Sequence, residues 1–104
     1  MRAAEALADP TRRRIVELLA EGELTAGELA QQFTTSRPAV SRHLRVLREQ
    51  GLVNVRSDAQ RRVYSLDPAP LAELDAWLGR YRSFWSQRLD ALDTQLTRKR
   101  KETA

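Results

Sequence analysis

Just after Gly51 the spacing of apolar residues changes from about 3.6 to 2, so a run of helices must give way to paired strands at that point. Upstream of it, Val40, Leu44 and Leu47 fall at i, i+4 and i+7, one stripe of a helix that must face a core. Downstream, Val53 and Val55 alternate with Asn54 and Arg56, and Tyr64 and Leu66 share one face of Arg62 to Leu66, which predicts a β-hairpin around the polar turn Ser57 to Arg61.

The helices before the change carry their own start and stop signals. Asp9-Pro10 predicts a cap and first turn after a short apolar segment, Ala3 to Ala8, and Ile15, Leu18 and Leu19 carry that second helix to about Ala20, before Glu21-Gly22. Thr25 with Glu28 forms a capping box, flanked by the staple Leu24 and Leu29, for a helix over about Ala26 to Gln32. Ser36 is placed to cap a fourth helix with Pro38 in its first turn, ending at Gln50 because Gly51 suits a left-handed stop. Phe33 packs beneath the turn Thr34-Thr35 between these two helices. Pro68 and Pro70 then precede one long helix, about 70–97, whose stripe Leu71, Leu74, Leu78, Tyr81, Trp85, Leu89, Leu92 and Leu96 recurs at intervals of three and four. The expected architecture is mostly α: a winged helix-turn-helix of about five helices plus a two-stranded hairpin wing, dimerising through its terminal helices. Residues 1–97 are expected to form this one domain and 98–104, opening with Arg98-Lys99-Arg100-Lys101, a basic frayed tail.

Charge follows the same layout. Residues 36 to 62 carry seven basic and two acidic side chains, net +5, whereas residues 1 to 35 are net −2 and residues 63 to 104 net +1. A basic middle segment on a helix-turn-helix pattern points to double-stranded DNA. Sixteen of the 18 basic residues are Arg, which suits phosphates and guanine edges but also follows from a G+C-rich genome. At 100° per residue, Pro38, Arg42 and Arg45 point away from the stripe, with Arg37 and Ser41 flanking them. Arg37, Ser41 and Arg42 are therefore the candidates for base contacts, and Ser36, Pro38, Arg45, Arg48 and Thr25 for backbone contacts. In the wing, Gln60, Arg61 and Arg62 are candidates for the adjacent minor groove or its phosphates; against this stand a solvated turn and, for Arg62, a strand parity shared with Tyr64. Arg12, Arg13 and Arg14 open the second helix, where either a phosphate or salt bridges to Asp9 or Glu17 would offset the helix dipole. His43 lies beside the apolar stripe, where packing and hydrogen bonding explain it better than catalysis or sensing.

A 27-residue helix extends roughly 40 Å, further than so small a domain can cover, so Leu78, Tyr81, Trp85, Leu89 and Leu92, with Leu7, are candidates for a homodimer interface. Intrachain packing competes for Leu71 and Leu74. With no cysteine and one histidine, the chain lacks a disulfide framework, a thiolate metal site and a cysteine nucleophile, and no cofactor or enzymatic activity is expected. It has no long apolar run and no signal-peptide pattern, so a cytoplasmic location without a membrane partner is expected.

The segments Ala6-Leu7-Ala8-Asp9-Pro10-Thr11-Arg12, Arg37-Pro38-Ala39-Val40-Ser41-Arg42-His43-Leu44-Arg45-Val46-Leu47 and Gly51-Leu52-Val53 closely resemble the ArsR/SmtB family of bacterial repressors, over about residues 3 to 96. The resemblance implies a homodimer paired through its first and last helices, bound to an imperfect palindrome near its own promoter and released by an effector. Where metal sensors of that family carry a cysteine motif, this chain has Leu24-Thr25-Ala26-Gly27-Glu28-Leu29, and its last helix has no histidine to accompany Asp75, Asp90 or Asp93. It is similar instead to the metal-independent branch, whose last helix reads as Tyr81-Arg82, Phe84-Trp85 and Arg88-Leu89-Asp90 do here. The alternative reading is a derepressor that senses a ligand or a metal at a dimer-interface site; the identity of a small-molecule effector is not specified by these residues.

Overall fold

In the computed structural model, which describes the backbone of residues 1–103 and the side chains of 1–100, the elements run α1 Arg2–Ala6, α2 Pro10–Glu21, β1 Leu24–Thr25, α3 Ala26–Gln31, α4 Arg37–Glu49, β2 Val53–Asp58, β3 Arg61–Leu66, α5 Ala69–Gly79 and α6 Arg82–Thr103. Residues 1–74 form one unit and those from Asp75 onward a second.

Local chemistry accounts for the boundaries in the first unit. The Asp9 carboxylate accepts the Arg12 backbone N–H at 3.0 Å and caps α2, a bond that holds this carboxyl below its usual pKa with help from His43. The Arg12 side chain turns back to donate to the Ala6 carbonyl at 2.7 Å, so it satisfies the end of α1, while Arg14 pairs with Glu17 at 3.2 Å. Of the salt bridges expected for this arginine cluster, Arg14 forms the one to Glu17, whereas the Arg12 guanidinium bonds backbone carbonyls instead of the Asp9 carboxylate. The Thr25 capping box is complete: its hydroxyl accepts the Glu28 N–H at 3.1 Å and the Glu28 carboxylate accepts the Thr25 N–H at 2.9 Å. Ser36 caps α4 by accepting the Ala39 N–H at 3.3 Å. At the other end of α4, Gly51 has φ +77°, its N–H donates to the Arg48 carbonyl at 3.0 Å, and the Leu52 N–H reaches the Leu47 carbonyl at 2.9 Å. This is a Schellman stop, and it delivers Leu52 straight into the core.

The sheet is antiparallel with order β1-β3-β2. It has three strands where the sequence predicted two, because the staple segment Leu24–Thr25 pairs with Tyr64 and Val63 before entering α3. Two residues with no alternation to display carry no strand signal; the pairing is decided by β3 lying alongside. The wing turn is also tighter than expected. Ser57 pairs with Arg62 and Asp58 with Arg61, leaving only Ala59 and Gln60 as the loop, with Ala59 at φ +56°.

Ile15 and Leu19 from α2, Leu29 from α3, Val40, Leu44 and Leu47 from α4, and Leu52, Val53 and Tyr64 make up the core. Leu7, Leu24 and Phe33 pack against its edge. Leu71 and Leu74, both half-buried, do so as well, as the intrachain reading of these two expects.

In the second unit, the long helix expected over 70–97 is interrupted. After Gly79, the Tyr81 N–H bonds the Leu78 carbonyl three residues back, at 3.1 Å, and α6 restarts with the Trp85 N–H on the Tyr81 carbonyl. Glycine weakens a helix by about 1 kcal/mol relative to alanine, and the tightened turn takes over at that weak point. Arg82 bonds Asp75 at 3.0 Å, and the Trp77 and Tyr81 rings lie 5.2 Å apart at 54°. There are thus six helices among the described residues. Residues 98–103, expected as a frayed tail, continue α6, which meets no Gly or Pro after Arg82. No helix of the described residues is long and apolar enough to cross a membrane.

Gly51 should be intolerant of a side chain for conformational reasons alone, since a Cβ there would meet its nearest neighbour at an ordinary 3.5 Å. Gly51→Ala is expected to cost about 1–2 kcal/mol, the left-handed penalty of an L-residue, read from the urea midpoint at unchanged slope.

Candidate nucleic-acid interface

Burial of Val40, Leu44 and Leu47 on one side of α4 leaves Ser41, Arg42, Arg45 and Arg48 exposed on the other. These four, with Arg62 of β3 and the edge of Tyr64, line a groove of about 350 Å³ between the solvent side of α4 and the wing. Arg62 does share the Tyr64 face of its strand, as parity required, but that face overlooks α4 and the guanidinium stays exposed. A second depression, of about 300 Å³, is lined by Thr25, Gly27, Arg37, Gln60, Arg61 and Arg62. The three residues grouped as base-contact candidates therefore divide. Ser41 and Arg42 lie in the first groove, and Arg37 lies in the second, its Nη2 3.5 Å from where a Cβ on Gly27 would stand.

Carboxylates sort the arginines further. Arg61 donates to Asp58 at 2.9 Å across the hairpin end, and Arg45 lies 3.9 Å from Glu49 one turn along α4. Arg56 on the outer strand is bound to Glu23 at 2.7 Å, a contact that raises its pKa further. Arg37, Arg42, Arg48 and Arg62 form no ion pair with a carboxylate among the described residues. Among the arginines of α4 and the wing, these four guanidiniums are the ones able to meet an anion without first giving up a carboxylate partner.

The remaining candidates serve the scaffold as well. The Ser36 and Thr25 hydroxyls are engaged as helix caps, and Pro38 sits exposed in the first turn of α4, where its missing N–H costs nothing. His43 is half-buried on the flank of α4, with Nδ1 3.7 Å from the Asp9 carboxylate. Gly27, Asp58 and Glu28 were not anticipated here. Glu28 is held below its usual pKa chiefly by the Thr25 N–H, with a smaller contribution from Arg61. Asp58 could have been found from the hairpin register, which sets it opposite Arg61; Gly27 had no sequence signal, since its role is to leave space beside Arg37.

The model of bacterial regulatory proteins of the arsR family matches residues 9–55, from the α2 cap to β2. Over 88 residues, 85% of this chain and 79% of that protein, the sequence is 54% identical to the HTH-type transcriptional regulator Rv2034 of Mycobacterium tuberculosis. The chain belongs to the arsR family. A second relative, the transcriptional repressor SdpR of Bacillus subtilis, is 36% identical over 71% of this chain and 82% of that one. Among solved structures, one described as a possible transcriptional regulator for arsenical resistance superposes with a TM-score of 0.69 at 50% identity, covering 88% of this chain and 92% of its own. An ArsR-like transcriptional regulator from Rhodococcus sp. RHA1 reaches 0.73 at 30% identity, with 89% and 85% covered. This arsR-family protein is a winged-helix, DNA-binding transcriptional regulator.

The Asp58–Arg61 pair restrains the wing's charge. Asp58→Asn should strengthen binding to a random-sequence duplex and steepen its salt dependence, both read by fluorescence anisotropy across a salt series. Unchanged affinity would show that Arg61 stays remote from the duplex.

Proposed function

We propose that this regulator is a repressor that acts as a homodimer, presenting two copies of α4 to successive major grooves of an imperfect palindrome near its own promoter. The observation that carries this reading is the groove beside α4, where Ser41 and Arg42 stand exposed next to two further arginines without carboxylate partners, Arg48 and Arg62. Arg42 has the donor fork that meets guanine O6 and N7, and Ser41 bonds a base edge or a phosphate. Arg45 and Arg48, further along α4, suit phosphates on the groove wall.

Dimerisation is supported by the second unit taken alone. Tyr81, Phe84, Leu89, Leu92 and Leu96 are each about half exposed or more, from 46% to 60%, an apolar series that water disfavours and a second chain would cover. Leu78 and Trp85 lie half-buried on the same helices, and Leu7 is the candidate contributed by the first unit. A two-fold pair of recognition helices matches half-sites one turn of DNA apart. Repression is the role of the relative SdpR, and residues 1–97 would act as one functional domain, working in the cytoplasm where its duplex is found. The absence of cysteine and the single histidine support release from DNA without a transition metal, with a small-molecule effector as the trigger.

Two measurements test this. Arg42→Ala is expected to lose about 1–3 kcal/mol of preference for a site selected from random DNA, whereas Arg45→Ala weakens selected and random duplexes alike and lowers the salt slope by about one. Equal losses on both duplexes for Arg42→Ala would refute the base-reading role. In sedimentation equilibrium the protein should be a dimer at micromolar concentration, and Leu89→Glu combined with Leu92→Glu should yield monomers whose affinity for the selected site falls to that for random DNA. A wild-type monomer would overturn the homodimer.

A further inference from the structure

The arginine at the start of α4 does not behave as its place on a helical wheel suggests. Arg37 is four residues before Ser41 and should share its face, yet it lines a different depression, together with the wing tip. Its guanidinium lies against α3 at the one position there without a side chain, 3.5 Å from where a Gly27 Cβ would be. Across the same depression stands Arg62, and neither arginine has a carboxylate partner among the described residues. The third guanidinium present, Arg61, is already satisfied by Asp58. Two unpaired cations thus face one open space, where Gln60 and the Thr25 edge add only neutral polar groups.

We infer that Arg37 and Arg62 hold a single DNA backbone phosphate between them, so that Arg37 positions the duplex instead of reading a base. The inference rests on the duplex-binding reading above. A phosphodiester offers two unbridged oxygens, each able to accept from one guanidinium fork, which matches two arginines converging from separate elements better than a base edge does. Arg62 also lines the groove that holds Ser41 and Arg42. One wing residue therefore borders both sites, and the clamp sets how closely the wing and the start of α4 approach the same strand.

The test is a double-mutant cycle with Arg37→Ala, Arg62→Ala and the double variant, titrated against a random-sequence duplex and against a site selected from random DNA. Both side chains are exposed, so the variants should retain the wild-type melting temperature. Each single variant is expected to lose about tenfold in affinity, equally on both duplexes, and to lower the salt slope by about one. The double variant should lose far less than the product of the single losses, because removing either arginine already breaks the shared contact. Losses that multiply, or a loss for Arg37→Ala that is larger on the selected site, would overturn the clamp. Arg42→Ala run alongside separates the two levels: if its loss is larger on the selected site than on random DNA, only the clamp has failed, and if its losses on the two duplexes are equal, the base-reading proposal has failed with it.

Discussion

The insertion of Val40, Leu44 and Leu47 into the core decides most of what this protein can do. Once these three side chains are buried, α4 cannot rotate about its axis, and its opposite face has to be the one carrying Ser41, Arg42 and Arg45. Leu29, Leu52 and Val53 complete the seat, so the helix before α4 and the strand after it are held by the same apolar contacts that orient it. A residue-specific interface on a domain of this size needs that rigidity, because a recognition helix free to roll would present a different set of donors with each turn.

Termini do the next share of the work. Asp9, Thr25 and Ser36 start three helices by accepting backbone N–H groups, and Gly51 stops the fourth helix in a conformation that alanine resists. Every one of these devices is local, acting within three or four residues, which is why they can be read from the chain in order. They also limit the length of α4, so that the wing begins close enough for Arg62 to share a groove with Ser41 and Arg42. The wing's own charge is moderated, with Arg56 and Arg61 each held by a carboxylate and Arg62 left without one among the described residues. Of the wing's positive charge, one guanidinium is thereby directed at the interface and two are partly neutralised.

The second unit follows a different logic. Its apolar side chains recur at helical spacing but remain half exposed, and the helix carrying them breaks where Gly79 meets the Trp77 and Tyr81 pair. A stripe of that length was legible as helical and as in need of cover. The break was not, because a single glycine within a periodic run is compatible with a continuous helix, and only the tightened turn at Leu78 and Tyr81 shows which alternative is taken.

The order of helices, their caps, the change to strands after Gly51 and the concentration of positive charge between residues 36 and 62 were all determined by the sequence, since each depends on neighbours a few residues apart. What tertiary structure alone decided is which of those charges act together. The pairing of Leu24 with Tyr64 and the departure of Arg37 from the Ser41 face toward Gly27 and the wing both depend on where separate elements come to rest. A helical wheel has no term for a neighbouring helix or strand, and a guanidinium on a flexible stem goes where its surroundings leave room and charge.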